Sequence, residues 1–416
     1  MIVLWIVLIA AITLVIFLVG VAIYDLTQRQ HAVLRNFPVI GHLRFVLEAF
    51  GPELRQYIVT SNEDERPFNR NERRWVYTSS KRGDTYFGFG TDLNFETSRG
   101  HVLIRPVAFP LEQHALPSIM PCGKVLGGAR GRAKSFRPAS IVNISAMSFG
   151  SLSGAAVASL NGGARLAGCW QNTGEGGLSE HHLQGGDLVF QIGTGYFGVR
   201  TPDGRFDLGR LIDLCAEHPV RALEIKLSQG AKPGHGGILP GAKVTPEIAA
   251  VRGVEVGRDC LSPARHSAFS DVSSMLDFAE TLADATGLPV GVKSAVGDPK
   301  FFEEIATEMA ATKRGVDFVT IDGGEGGTGA APLVFADHVA LPFRAGFAEV
   351  YRSFFEAGIA DDVVFIGSAK LGLPENALLA YAMGADLVNV AREAMLAMGC
   401  IQAQRCHTGR CPSGVA

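Results

Sequence analysis

Three cysteines stand in a tight block near the end of the chain, Cys400, Cys406 and Cys411, spaced C-x5-C-x4-C and followed by Pro412. Thiolates gathered this closely hold iron–sulfur clusters, and a proline after the last cysteine suits that reading. With no close fourth thiol, the block favours a three-iron cluster. A structural zinc completed by His407 is the rival metal reading, and inert thiols are the third. The other cysteines, Cys122, Cys169, Cys215 and Cys260, are dispersed, as buried free thiols are. An odd total of 7 argues against a disulfide framework.

A second set of residues suits anion chemistry. The stretch 323–329 reads GGEGGTG, and 367–370 reads GSAK. Each follows an apolar run, so backbone N–H groups of Gly326, Gly327, Thr328 and Gly329, and of Gly367, Ser368, Ala369 and Lys370, can face a phosphate. The chain has no Walker A sequence and no GxGxxG opening a dinucleotide unit. The phosphate therefore fits flavin mononucleotide (FMN) better than a nucleoside triphosphate or NAD. Lys293 directly follows the apolar run 290–292. A buried ammonium needs an anion, and beside a flavin it would stabilise the negative charge of the reduced ring; a structurally paired or exposed lysine is the plainer reading. Lys226, Lys232 and Arg252 form a basic group facing one acid, Glu175. Cations around one carboxylate suit a small anionic substrate, although each could serve in an ordinary ion pair.

These residues need a scaffold that brings distant segments to one face. Short apolar runs recur at 141–144, 169–171, 188–192, 222–225, 290–292, 318–321, 363–366 and 387–390. They read as buried parallel strands, with helical stretches such as 152–166, 273–286, 301–312 and 345–357 between them. Each run ends at once in a polar or glycine-rich stretch: SAMSFG, NTGEGG, GTGYFG, KLSQGAKPG, KSAVGD, DGGEGGTG, GSAKLG and AREAM. Eight such units predict an α/β fold, a TIM-type (β/α)8 barrel whose strand C-terminal ends carry the site. The short link between the second and third runs makes that pair the least regular.

The 416 residues suit one barrel-sized domain with additions: a membrane anchor over 1–24, a linker or cap over 25–100, and a barrel with the cysteine segment 400–411 over 101–416. Residues 2–23 carry no charge and would span roughly 33 Å as a helix, enough for a bilayer. A cleaved signal peptide and a buried core helix are the rival readings; Arg29, Arg35 and Arg44 follow the span and none precedes it, which predicts a single-pass anchor with a cytoplasmic body. The arginine-rich stretch 66–74 reads as a solvated linker or cap. With 38 Lys and Arg against 41 Asp and Glu, nothing points to nucleic acid.

The segments SAMSFGSLS, QGAKPGHGGILPGAKVTPEI, DGGEGGTGAAPL, LPFRAGFAEV and GCIQAQRCHTGRCPSGVA resemble the FMN-binding synthase domain of glutamate synthases. The closest likeness is to short membrane-anchored members that lack a glutaminase domain. The resemblance implies FMN and a 3Fe-4S cluster on Cys400, Cys406 and Cys411, passing electrons to reduce 2-iminoglutarate, from 2-oxoglutarate and ammonia, to glutamate. It places Glu175, Lys232 and Arg252 at the substrate, and Met147, Ser148, Gln191 and Lys293 around the flavin ring. Electrons would come from a ferredoxin or a reductase partner, since no Rossmann unit is present. His235 and Ile238 stand where full-length enzymes usually have a carboxylate and a glutamine. They motivate an alternative: another keto or hydroxy acid as substrate. A non-catalytic, membrane-tethered electron-transfer module is the third expectation.

Overall fold

The computed structural model describes residues 1–28, 34–35, 37–43, 46, 50, 64–86, 88–91, 93–94, 96, 100–109 and 119–416. It divides into two compact units, Met1–Asn71 and Glu72–Ala416. In the first, the helix Ile2–Thr27 is long and apolar enough to cross a membrane. Asp25, near its end, accepts the Val39 amide at 2.8 Å and pairs with His42 at 2.9 Å. Of the arginines behind the orientation expectation, Arg29 and Arg44 lie outside the described residues.

The second unit is a closed barrel of eight parallel strands. They are β1 (Val142–Ile144), β2 (Trp170–Asn172), β3 (Asp187–Ile192), β4 (Val220–Lys226), β7 (Val290–Ala295), β8 (Phe318–Asp322), β9 (Val364–Ser368) and β10 (Leu387–Val390). All eight expected runs are strands of this barrel. Two further short strands, β5 (Ile238–Leu239) and β6 (Cys260–Leu261), pair antiparallel within the β4–β7 connection and were not read from the sequence. The β2–β3 link holds a single turn, Glu180–His182, in place of a full helix.

Side chains two apart on a strand share a face. Phe190, Leu223, Val292, Val319, Phe365 and Val388 therefore point outward, into the helices that carry Leu211, Met275, Leu282, Ile305 and Phe347. The helices are ended by local chemistry. Asp271 accepts the Ser274 amide at the start of helix Val272–Thr286, and left-handed Gly287 ends it.

Inward positions form layers. Trp170, Val189, Ala222, Phe318, Val364 and Leu387, near the strand starts, make an apolar floor with Cys122 and Leu126. Leu126 pairs with Phe136 in a small antiparallel bridge that closes this end. Arg132, from the same segment, ties the plug to the barrel: it bonds both Glu280 oxygens, at 2.5 and 3.0 Å, and both Asp317 oxygens, at 3.2 and 3.1 Å. Removing one partner of a buried pair strands the other charges, at a cost of about 3–5 kcal/mol. Arg132→Ala is thus expected to lower stability by about that much in denaturant melts, whereas Arg314→Ala, at a more exposed pair, costs about 1 kcal/mol or less. Equal losses for the two would refute the assignment of Arg132 as the buried tie.

Candidate active site at the barrel mouth

The strand C-terminal ends gather the charged residues singled out from the sequence. Glu175 follows β2, and its Oε1 lies 2.9 Å from the Lys226 Nζ at the end of β4. Lys226 also donates to Gln229 Oε1 at 2.7 Å. Burial pushes the Glu175 carboxyl up, but Lys226, then Lys232 and Arg252, outweigh it and hold the group below the usual range. Lys232 is buried and donates to the Ala330 carbonyl at 2.8 Å, which joins the β4 loop to the β8 loop. Burial, then Lys226, pull its ammonium below the ordinary value, with Glu175 opposing.

Close backbone approach explains the glycines here. A Cβ on Gly193 would come within 2.6 Å of the Glu175 Cβ, and one on Gly237 within 2.5 Å of its Oε1. Glu175 is wedged between two segments that only glycine allows so near. Arg252 belongs to the wall of this pocket: its Nη2 donates to the Phe149 carbonyl at 2.8 Å, its Nη1 approaches Cys260 Sγ at 3.6 Å, and its guanidinium lies 5.2 Å from the Phe197 ring centroid. His235 stacks edge-on against Phe335 at 5.4 Å, and Ile238 is 39% exposed on the β5–β6 hairpin, opposite Leu261.

Deeper in the barrel lies a polar layer. Glu224, on β4, accepts from Asn172 Nδ2 at 2.8 Å, Gln191 Nε2 at 2.7 Å and Thr320 Oγ1 at 2.7 Å. Lys293, on β7, is 6% exposed and faces Asp322 Oδ2 at 3.7 Å. The same Asp322 oxygen accepts the Gly230 amide at 2.9 Å. Lys293 is thus structurally paired, with its ammonium still inside the well. Met147 is buried nearby in the β1 loop, and Ser148 backs the Gly174 turn, where a Cβ would come within 2.6 Å of the Ser148 amide nitrogen.

The two glycine-rich loops also meet. The Ser368 carbonyl accepts the Gly323 amide at 2.9 Å, and the Ser368 hydroxyl lies 3.4 Å from that of Ser145. Gly326 spends its own amide on the Gly323 carbonyl at 2.9 Å, and Gly367 sits in the β9 ladder, so Gly327, Thr328, Gly329, Ala369 and Lys370 carry the remaining scope for anion contact. Arg392 packs against Gly327 and donates to the Glu325 carbonyl. Lys370 adopts a left-handed backbone, φ 50°, and its Nζ pairs with Glu72 at 2.8 Å. Glu72 lies on the helix Arg70–Ser80, whose Tyr77 hydroxyl donates to the Cys400 carbonyl at 2.7 Å. That helix, within the stretch expected to be a solvated linker or cap, touches both the second loop and the cysteine block.

Cys400, Cys406 and Cys411 lie in one segment near Lys243, which donates to the Cys406 carbonyl at 3.2 Å. Burial, then the neighbouring thiols, push Cys400 and Cys406 up, with backbone donors to Cys400 and Lys243 beside Cys406 pulling the other way. Burial also raises Cys411, but Ser413 and the backbone of Ala416, Ser413 and Val415 donate to its sulfur and leave it below the ordinary value. Backbone donors and a nearby ammonium are what a thiolate-held cluster needs. The donor set fits such a group in kind, although no three His, Cys, Asp or Glu side chains among the described residues stand close enough together to enclose a metal ion.

A family model described as the conserved region in glutamate synthase matches residues 131–416. The glutamate synthase large subunit-like protein YerD of Bacillus subtilis is 39% identical, across 98% of this chain and 84% of that one. The chain belongs to the glutamate synthase family. The archaeal glutamate synthase (NADPH) of Methanocaldococcus jannaschii is 37% identical, with 66% of this chain matching 51% of that protein. The ferredoxin-dependent glutamate synthase of Cyanidium caldarium is 35% identical, with 65% of this chain matching 18% of it. The chain thus spans about half of the archaeal relative and less than a fifth of the Cyanidium caldarium one.

Within this glutamate synthase barrel, sequence reasoning missed Asn172, Glu224, Thr320, Asp322, Arg392, Glu72 and Tyr77. Asn172, Asp322 and Arg392 stood inside strand-end stretches already singled out. Glu224 stood inside an apolar run, where a lone acid at an inward position signals a buried partner set. The turn after Glu175 depends on buried His182, whose Nδ1 accepts the Ser179 amide at 3.1 Å. Burial pushes His182 down to about 4. The unfolded chain, with its histidine near 6.5, therefore takes up a proton that the native one refuses, and stability falls as pH drops from about 6.5 towards 4. His182→Asn is expected to flatten that slope, worth up to about 3 kcal/mol at its acid end. Denaturant melts across this pH range check it, and an unchanged slope would assign the acid sensitivity elsewhere.

Proposed function

We propose that the chain is an FMN-dependent oxidoreductase of glutamate synthase type, reducing 2-iminoglutarate, formed from 2-oxoglutarate and ammonia, to glutamate. The observation that carries this is the mixed-charge group Glu175, Lys226 and Lys232 at the strand ends, above a well lined by Gln191 and Lys293. Bound FMN would supply hydride, and a 3Fe-4S cluster on Cys400, Cys406 and Cys411 would supply its electrons one at a time. Lys226 and Lys232 pair with the substrate carboxylates, and Glu175 accepts from the imine or ammonium nitrogen, fixing the carbon that takes the hydride. Arg252 holds the pocket wall through Phe149 and keeps positive charge behind Glu175. Gly327, Thr328 and Gly329, with Ala369 and Lys370, would face the FMN phosphate, Gly326, Gly367 and Ser368 would shape the two loops behind them, and Arg392 would add a cation. Lys293 balances charge on the reduced ring. A ferredoxin or a reductase partner delivers electrons; the matching relatives carry NADPH and ferredoxin in their names. The apolar helix Ile2–Thr27 anchors the chain in a membrane, with the barrel on the cytoplasmic side.

An anaerobic absorption spectrum with iron and acid-labile sulfide assays tests the cofactor set: flavin bands with about three irons per chain are expected. Turnover of 2-oxoglutarate with ammonia, against other keto acids, tests the substrate. Glu175→Gln is expected to lower kcat/KM roughly 10- to 100-fold, the worth of a charged hydrogen bond. Zinc without flavin, or an indifferent Glu175→Gln enzyme, would overturn the proposal.

A further inference from the structure

Gln191 and Glu224 face each other in register on β3 and β4, inside the polar layer. Gln191 is 2% exposed and Glu224 is 1% exposed. A carboxylate only accepts hydrogen bonds, so chemistry decides which end of each amide faces it. Glu224 Oε1 takes the NH2 ends of both Asn172 and Gln191, and Oε2 takes the Thr320 hydroxyl. The carbonyl ends must then point away. The Asn172 oxygen is used: it accepts the Gly174 amide at 3.0 Å and so shapes the turn that presents Glu175. Gln191 is almost wholly buried, and its oxygen takes no hydrogen bond from a described group while keeping some solvent access. An acceptor held in one orientation, left unfilled and still reachable from the well is placed to receive a donor.

We propose that Glu224 is a positioning residue that makes Gln191 an obligate acceptor for an imide N–H of the ligand in the well. Resting on the FMN reading, that donor is N3–H on the pyrimidine edge of the flavin. Glu224 touches neither ligand nor substrate. It acts through two amides at once, setting the flavin edge through Gln191 and the Glu175 turn through Asn172.

Glu224→Gln keeps shape and volume but offers an NH2 of its own, so the Gln191 amide can turn over and present a donor to the N3–H. The reconstituted variant is expected to bind FMN roughly tenfold more weakly, the worth of one buried hydrogen bond, and to show a shifted flavin midpoint potential. Gln191→Leu should do the same, and the double variant should be no worse than Gln191→Leu alone, because both act through one bond. If Glu224→Gln binds FMN with wild-type affinity and potential, or the two losses add, the inference is overturned. Should Glu224→Gln fail to fold, nitrogen-15-labelled FMN decides: the N3 resonance of the wild-type protein must lie downfield of that in Gln191→Leu, and identical shifts overturn the inference. A wild-type chain that binds no FMN at all would instead sink the cofactor reading beneath it.

Discussion

Glu224 occupies an inward position of a strand whose other inward neighbour, Ala222, belongs to the apolar floor. Burying a carboxyl group there costs several kcal/mol unless donors meet its lone pairs. The donors come from three other strands: Asn172 on β2, Gln191 on β3 and Thr320 on β8. Each must keep its register, because a slip of one residue would carry its side chain to the outer face. The need to satisfy one acid therefore fixes half of the barrel's circumference relative to the mouth, and the loops that leave those strands inherit the arrangement. Glu175, three residues beyond the end of β2, stands where it does because Asn172 is held from both ends.

The eight strands were legible because each apolar run broke abruptly into polar or glycine-rich sequence, which is how a buried strand emerging at a mouth must look. The Glu175–Lys226 encounter was legible in kind, since cations and one acid all fell at strand ends. Its closeness was not, because it rests on Gly193 and Gly237 letting two backbones crowd the carboxylate. Arg252 read as a substrate cation; it also touches Phe149, Cys260 and Phe197, contacts made across more than fifty residues of chain for Phe197 and a hundred for Phe149, while its Nε has no partner among the described residues. The β5–β6 pair is two residues per strand, too short to show a period.

The helix Arg70–Ser80 was hidden for a different reason. Its sequence is mostly polar, and its buried face is narrow, Val76 with the stem of Arg73, so little apolar sequence announces it. Beside buried Val76 it contributes single polar contacts, Glu72 on Lys370 and Tyr77 on the Cys400 carbonyl. Those two contacts bridge the second glycine-rich loop and the cysteine block. Lys370 holds a left-handed backbone that sterics disfavour for a non-glycine residue, and the Glu72 pair fixes where its side chain lies.

The floor of Trp170, Phe318, Leu387 and their neighbours, plugged by Leu126, makes the barrel a blind well. Among the described residues the floor covers the strand starts, so the mouth is the open end of the polar layer, and anything seated in the mouth is also a stopper. Once it is in place, the interior's stock of protons is fixed until it leaves. Order of arrival then becomes part of the chemistry: a group that must be protonated inside the well has to collect its proton before the stopper goes in, and a spent ligand has to leave before the well can reset.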